Sequence, residues 1–141
     1  MTYKLGKRSL ANLGGVHPRL ITIVKRALEI SLCDFSVVDG RRTIEHQRHL
    51  FSEGKTWTMN SYHLPRAFND TPGLVAAAVD IYPWVEGETS HKDQHYAHLA
   101  RAMFQAAQEE GLKKEGCGNI LEWGGFWTKH TDKPHWQYIK V

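Results

Sequence analysis

The sequence lacks the features that mark several large classes of protein. No stretch approaches the roughly 20 consecutive apolar residues that cross a bilayer, so we expect no membrane insertion. Residues 1–13 contain no continuous apolar segment, which argues against a secretory signal. The two cysteines, Cys33 and Cys117, form no CxxC motif. This excludes a zinc site built on thiolates, and we expect two reduced thiols rather than a disulfide.

Strong charge of one sign is also missing. The formal net charge is +3 in a chain of 141 residues, and lysine and arginine are scattered along it. This mild excess favours approach to an anionic polymer but does not predict nucleic-acid binding. The chain shows no internal repeat, low-complexity tract or linker, so we expect residues 1–141 to form a single domain.

Apolar residues recur every three or four positions in three segments, which predicts three helices. These helices are expected over residues 18–31, 43–54 and 90–111. Thr43 and Ser90 are of the residue types that cap helix N-termini, and a glycine ends each of the last two segments.

Strands are predicted where β-branched and aromatic residues concentrate. The expected strands are residues 34–40, 75–84, a short segment around Leu121, and 136–141. The run 75–84 is mostly apolar, which is typical of a buried central strand, yet it carries Asp80. Residues 55–73 are broken by Pro, Asn, Asp and Gly and predict a long loop or a surface-folded segment. Helices mixed with short strands indicate an α+β domain, a small antiparallel sheet flanked by helices.

The sequence contains nine histidines, an unusually high number. The candidate metal ligands are His63, Asp80 and His135. Asp80 needs a partner because a buried charge is costly unless it is paired or bound to a metal. Each candidate also has an ordinary interpretation when taken alone. Asp80 could pair with an arginine or cap a helix, His63 could lie on a loop surface, and His135 could be a hydrogen-bonded core residue.

Three motifs change this balance when they are taken together. Ser61-Tyr-His63, Ala78-Val-Asp80 and Asp132-Lys-Pro-His135 resemble the SxH, AxD and (E/D)xxH signature of the D-alanyl-D-alanine carboxypeptidase and dipeptidase superfamily of zinc peptidases. The short layout is similar to the phage endolysin branch of L-alanyl-D-glutamate endopeptidases. Further matches lie at residues 4–9, 37–43 and 122–127. The resemblance implies the hedgehog and D,D-peptidase-like fold.

The resemblance also implies a role for each matching residue. His63, Asp80 and His135 would bind Zn²⁺ and leave a position for water, and Asp132 would be the general base. Arg42 would bind the substrate and stabilise the developing oxyanion, a role that suits a permanent cation. Substrate contacts are further expected from Ser61 and Gln47.

The sequence departs from the family pattern in three places. Sixteen residues separate His63 from Asp80, where the family commonly has six, so the loop from Leu64 to Val75 is enlarged. We expect this loop to help decide which peptide reaches the metal. Ala76 replaces a family glycine, and the expected base is Asp rather than Glu, a choice that occurs in the endolysin branch.

Other histidines and the tryptophans offer competing sites. His91, His95 and His98 share one face of the third predicted helix, but the sequence lacks the glutamate of an HExxH motif there. We expect these three, together with His46 and His49, to lie on the surface. Of the five tryptophans, we expect about two at the mouth of the site.

The leading hypothesis is therefore a phage or prophage endolysin, a zinc peptidase that cuts the peptide of bacterial peptidoglycan, with L-alanyl-D-glutamate as the expected bond. A D,D-carboxypeptidase or D,D-dipeptidase of the same family, and a non-catalytic zinc-stabilised wall-binding module, are the alternatives. We expect a monomer without a separate wall-binding domain. It would be made in the host cytoplasm and act on the wall after the membrane is permeabilised.

Overall fold

The computed structural model describes residues 3–112 and 119–140. Four α-helices span Lys7–Asn12 (α1), Pro18–Ile30 (α2), Ile44–Ser52 (α3) and Asp93–Glu109 (α4). None of the helices in these two ranges is long and apolar enough to cross a bilayer. Cys33 is buried, whereas Cys117 lies outside the described residues. The expectation of two reduced thiols therefore stays a prediction.

The predicted starts of α2 and α3 are confirmed. Pro18 occupies the first turn of α2, and the ring of His17 caps this helix by accepting a hydrogen bond from the Arg19 amide. The Thr43 side chain caps α3 by accepting from the backbone N–H of His46. Both caps satisfy amides that have no partner within the helix.

The predicted start of α4 at Ser90 is wrong. The helix begins at Asp93 after Lys92, whose side chain makes no capping hydrogen bond. Ser90 lies at the end of the preceding hairpin instead, where its amide donates to the carbonyl of Pro83 on the opposite strand. Its hydroxyl accepts from the Lys92 amide, so Ser90 organises the approach to the helix rather than its first turn.

The main sheet has five antiparallel strands, which are β1 (Asp34–Asp39), β4 (Ala78–Val85), β5 (Glu88–Thr89), β6 (Ile120–Trp123) and β7 (His135–Ile139). Their order is β1-β4-β7-β6, with the short β5 beside the end of β4. The predicted α+β class with a small antiparallel sheet is thus confirmed. The central strand is β4, as the apolar run 75–84 predicted.

The sheet separates the hydrophobic core from the polar face that carries the site. Helices α2 and α4 pack on one face of the sheet, where Leu20 and Met103 are fully buried. On β4, Val79 and Ile81 point into this core. Because side chains alternate along a strand, Asp80 between them points to the opposite face.

The enlarged segment after His63 forms a hairpin of its own, which is the surface-folded alternative to a long loop. Strands β2 (Arg66–Phe68) and β3 (Thr71–Val75) pair with each other in a separate two-stranded sheet. Asp70 in the turn between them accepts hydrogen bonds from His17 Nε2 at 2.8 Å and from the Tyr138 hydroxyl at 2.9 Å. These bonds join the hairpin to α2 and β7.

Candidate functional site

Three acidic and imidazole residues form a row across the middle of the sheet. Asp80 on β4 stands opposite Asp39 on β1 and opposite His135 on β7. A register shift between Val37 and Asp39 brings Asp39 into this row, a common use of bulges near functional sites. Strand pairing therefore places charged groups side by side that are far apart in sequence.

His63 completes a cluster of three ligand atoms. Its Nε2 lies 3.3 Å from Asp80 Oδ1, and His135 Nδ1 lies 3.4 Å from the same oxygen. The ligand atoms of the three residues all lie within 4.8 Å of one another. Among the described residues, this is the group that could hold a metal ion.

Hydrogen bonds on the far side of each imidazole orient the cluster. His63 Nδ1 lies 2.7 Å from the carbonyl oxygen of Gly40, and His135 Nε2 lies 2.7 Å from Gln137 Oε1. Both partners are oxygens that only accept, so these two nitrogens carry hydrogens. His63 Nε2 and His135 Nδ1 consequently turn lone pairs towards the Asp80 carboxylate.

This arrangement fits a metal cation. His63 Nε2 and Asp80 Oδ1 are buried and have no hydrogen-bond partner, which is costly unless a cation lies between them. Two imidazole nitrogens and one carboxylate oxygen are a donor set that binds divalent transition metals.

The electrostatics of the cluster favour positive charge at this point. Burial alone would raise the pKa of Asp80, but the interactions with His135 and His63 outweigh burial and lower it. Burial alone would lower the pKa of His135, but the contact with Asp80 raises it. Asp80 thus stays ionised and attracts a cation to its oxygen.

Arg42 lies beside the cluster, held on three sides. Its Nε donates to Asp39 Oδ2 at 2.6 Å, its Nη1 to Gln47 Oε1 at 3.1 Å and its Nη2 to Asp80 Oδ2 at 3.5 Å. The Arg42 amide also donates to the carbonyl of His63 at 2.8 Å. The guanidinium lines a pocket into which the cluster opens, and these bonds leave the guanidinium little freedom to turn.

Gln47 and Ser61 differ in their relation to the pocket. Gln47 is fully buried and does not line the pocket, which is at odds with a direct substrate contact in this conformation. Its amide instead joins Arg42 to the carbonyl of Thr58, to which Nε2 donates at 2.7 Å. Ser61 lines the pocket, and its hydroxyl oxygen accepts from the His63 amide at 3.1 Å.

Asp132 lies in the loop that leads into β7 and faces the same pocket. Burial, together with the negative charge of Asp80, raises its pKa, although His135, His63 and Arg42 act in the opposite direction. Gly124 lies directly against the backbone of this loop. A Cβ at Gly124 would overlap the carbonyl oxygen of Asp132 and come within 3.2 Å of the Cβ atoms of Asp132 and His135.

The cluster opens into a cavity of about 670 Å³. The cavity is bounded by residues 55–62 on one side and by residues 126–132 on the other. Two of the five tryptophans, Trp57 and Trp127, line it, the number expected. Trp57 stacks on His130 at 4.8 Å between ring centroids, so the two rims touch.

The enlarged segment Leu64–Val75 does not line this cavity, and the expectation that it helps select the peptide stays a prediction. It folds outward as the β2–β3 hairpin, and the rim comes from the residues that precede it. The remaining histidines also stay apart from the cluster. His46, His49 and His91 are exposed, and His95 and His98 are half-buried on α4.

Four further residues shape the site and escaped prediction from sequence: Asp39, Glu122, Gly124 and Gln137. Gln137 follows His135 by two positions in a predicted strand, and side chains two apart share a face. That spacing is the one signal that could have found Gln137. The others act through the register of neighbouring strands or through a close backbone approach.

Comparison with known proteins identifies the family. A family model described as phage L-alanyl-D-glutamate peptidase matches residues 1–138. An L-alanyl-D-glutamate peptidase of Escherichia phage T5 is 27% identical over 133 residues, which cover 94% of this chain and 87% of that protein. The crystal structure of the Serratia marcescens L-Ala D-Glu endopeptidase ChiX matches with a TM-score of 0.78 and 34% identity, covering 99% of this chain and 90% of that one.

The candidate metal centre at the floor of a pocket, with a carboxylate and an arginine beside it, defines a metal-dependent peptidase. More narrowly, the chain belongs to the phage L-alanyl-D-glutamate peptidase family. The resemblance drawn from the three motifs is thereby confirmed, as is the α+β fold, which the chain shares with ChiX.

Proposed function

We propose that this protein is a phage or prophage endolysin, a zinc peptidase that hydrolyses the L-alanyl-D-glutamate bond in the peptide stem of bacterial peptidoglycan. The observation that carries the proposal is the convergence of two imidazole lone pairs and one buried carboxylate oxygen at the floor of an open cavity. The family and both relatives named above support the choice of bond.

In this proposal His63, Asp80 and His135 hold Zn²⁺ through Nε2, Oδ1 and Nδ1. When bound there, the ion supplies Lewis acidity that acidifies a water ligand and polarises the scissile carbonyl. Three protein ligands with an open fourth position are the arrangement of catalytic rather than structural zinc sites.

Asp132 moves the proton. Its carboxylate accepts the proton of the attacking water and returns it to the leaving amine, so a pKa raised by burial suits both steps. Because Asp132 faces the cavity and is not one of the three clustered ligands, its role can be separated experimentally from metal binding.

Arg42 stabilises the negative charge that develops on the carbonyl oxygen. A guanidinium has five N–H donors, and the bonds to Asp39, Gln47 and Asp80 use one on each nitrogen. The remaining donors can serve the cavity without reorientation. Ser61 contributes to the cavity wall that receives the peptide, and Gln47 holds Arg42 in place.

We further propose that residues 1–141 act as a single catalytic domain and as a monomer. The proposed substrate lies outside the cytoplasmic membrane, so the enzyme reaches it after the membrane has been permeabilised. Light scattering coupled to size-exclusion chromatography measures the mass in solution, and a mass of twice the chain would contradict the monomer.

Digestion of purified peptidoglycan tests the proposal. Mass spectrometry of the products should reveal new N-terminal D-glutamate, whereas release of free D-alanine would indicate a D,D-peptidase instead. Asp132→Ala should retain zinc and lose turnover, and His135→Ala should lose both. Glu88→Gln, an exposed change on β5, is the control and should behave as the unmodified protein. Near-normal activity of Asp132→Ala would refute its role as base.

A further inference from the structure

A chain of hydrogen bonds runs from the cavity wall to one of the three clustered residues. Glu122 on β6 stands directly opposite Gln137 on β7. Glu122 Oε1 accepts from Trp127 Nε1 at 3.0 Å and from Gln137 Nε2 at 3.0 Å. At the other end of the same amide, Gln137 Oε1 lies 2.7 Å from His135 Nε2.

The Glu122 carboxylate sets the direction of these hydrogen bonds. An ionised carboxylate only accepts hydrogen bonds, so Gln137 must turn its NH₂ group to Glu122. Its carbonyl oxygen then faces His135 and accepts a hydrogen bond from Nε2–H. The neutral imidazole therefore keeps its lone pair on Nδ1, the atom that lies 3.4 Å from Asp80 Oδ1.

We propose that Glu122 and Gln137 are positioning residues that select the tautomer of His135 able to bind the metal. Gln137 acts on His135 directly, and Glu122 acts by orienting the Gln137 amide. This inference rests on the metal site of the proposed function and adds two residues to it. Removing partners of this kind typically weakens metal binding by about 10–100-fold.

Glu122 can be changed with or without loss of its acceptor. In Glu122→Gln, the amide oxygen can take the place of Oε1 and accept from both Trp127 Nε1 and Gln137 Nε2, so the direction of the hydrogen bonds is kept. Glu122→Leu offers no acceptor, so nothing fixes which end of the Gln137 amide faces His135. When the NH₂ group faces Nε2, the contact favours the tautomer protonated at Nδ1, and that hydrogen competes with the metal.

A second variant acts on His135 directly. Gln137→Leu removes the acceptor of His135 Nε2–H and should also lower the population of the tautomer with its lone pair on Nδ1. A pair that merely stabilises the β6–β7 contact gives no reason for Nδ1 protonation in Glu122→Leu or for the Nε2–H tautomer in Glu122→Gln.

The experiment measures zinc affinity by competition with a chromophoric chelator and identifies the His135 tautomer by nitrogen-proton correlation NMR at a pH at which the imidazole is neutral. Glu122→Leu and Gln137→Leu should each weaken zinc binding by about 10-fold or more and show Nδ1 protonation in the metal-free protein. Glu122→Gln should keep both the zinc affinity and the Nε2–H tautomer. Glu88→Gln is the surface control, and melting temperatures show that each variant is folded.

Unchanged zinc affinity and tautomer in Glu122→Leu would overturn the inference, and so would a Glu122→Gln variant that binds zinc no better than Glu122→Leu. These outcomes differ from a failure of the proposed function. If the unmodified protein binds zinc yet leaves peptidoglycan uncut, the assigned activity fails while the zinc and tautomer measurements still test Glu122 and Gln137.

Discussion

At the residue scale, Gly124 supports the site by its lack of a side chain. The backbone of the Asp132 loop lies so close that the Asp132 amide donates to the Gly124 carbonyl at 2.9 Å. A methyl group at Gly124 would overlap the Asp132 carbonyl oxygen and crowd His135. The loop would have to move away from the cavity floor, and the general base would move with it.

We therefore expect Gly124→Ala to lower kcat by about 100-fold, since small displacements of catalytic groups have effects of this size. The hydrolysis rate on a soluble stem peptide measures the loss. Gly6→Ala is the matched control, because a Cβ at Gly6 meets nothing within 4 Å. Equal activity of Gly124→Ala and Gly6→Ala would show that the close approach of Gly124 to the Asp132 loop does not affect catalysis.

Residues that carry chemistry themselves were predictable, and residues that act through neighbours were not. His63, Asp80 and His135 were recognised as candidate ligands by side-chain type and by motif spacing, and the structure brings them together. Asp39 and Glu122 act across strand pairs. Their partners depend on β-sheet register, and no local spacing in the sequence encodes it.

At the scale of elements, periodicity located α2 and β4 because both bury an extensive apolar surface. Helix α1 has six residues, too few to show a period. The β2–β3 hairpin was missed for a different reason. Its residues are mostly polar or exposed, and the contacts of Asp70 and Phe68 that join it to the protein are made with His17 and Tyr138, which are distant in sequence.

Asp70 gives this anchor a defined pH dependence. Burial alone would raise the pKa of Asp70, but hydrogen bonds from His17 and Tyr138 outweigh it and lower the pKa to about 2, below the ordinary value of 3.8. The folded state therefore prefers the ionised form more than the unfolded state does. Its contribution to stability is fully present above pH 4 to 5 and is lost as the pH falls towards 2.

We expect Asp70→Asn to lower the free energy of unfolding by about 1 kcal/mol at pH 7, a value reduced by solvent screening. The difference from the unmodified protein should shrink as the pH approaches 3, as measured by urea denaturation. Asp34→Asn is the control. Because burial raises the pKa of Asp34, the pH dependence of its contribution to stability has the opposite sign to that of Asp70. A loss of stability in Asp70→Asn that is independent of pH would contradict this account.

At the scale of the whole molecule, the fold keeps stability and chemistry on different faces of one sheet. The order of helices and strands in the sequence was enough to predict an α+β domain. The strand order β1-β4-β7-β6 was not predictable, because pairing between β4 and β7 joins segments about 55 residues apart without a local signal. The cavity rims follow from that pairing as well, and they determine where a peptide can enter.

The two rims meet through the stacked rings of Trp57 and His130, which lie nearly parallel, 8° apart. The Trp57 side chain belongs to an exposed residue, so the stack bridges the cavity rather than filling the core. His130 has a φ of 58°, an unusual value for a residue with a side chain, and the stack helps to hold it there. A peptide that enters the cavity should pass against this bridge.

Loss of the Trp57 ring should therefore weaken substrate binding more than it slows the chemical step. An aromatic contact is worth about 1 kcal/mol, so we expect Trp57→Ala to raise KM roughly fivefold while kcat changes little. Trp84→Ala removes an exposed tryptophan outside the cavity and should leave both constants unchanged. A fall in kcat at constant KM for Trp57→Ala would show instead that the bridge acts on the Asp132 loop, to which His130 belongs, and not on the incoming peptide.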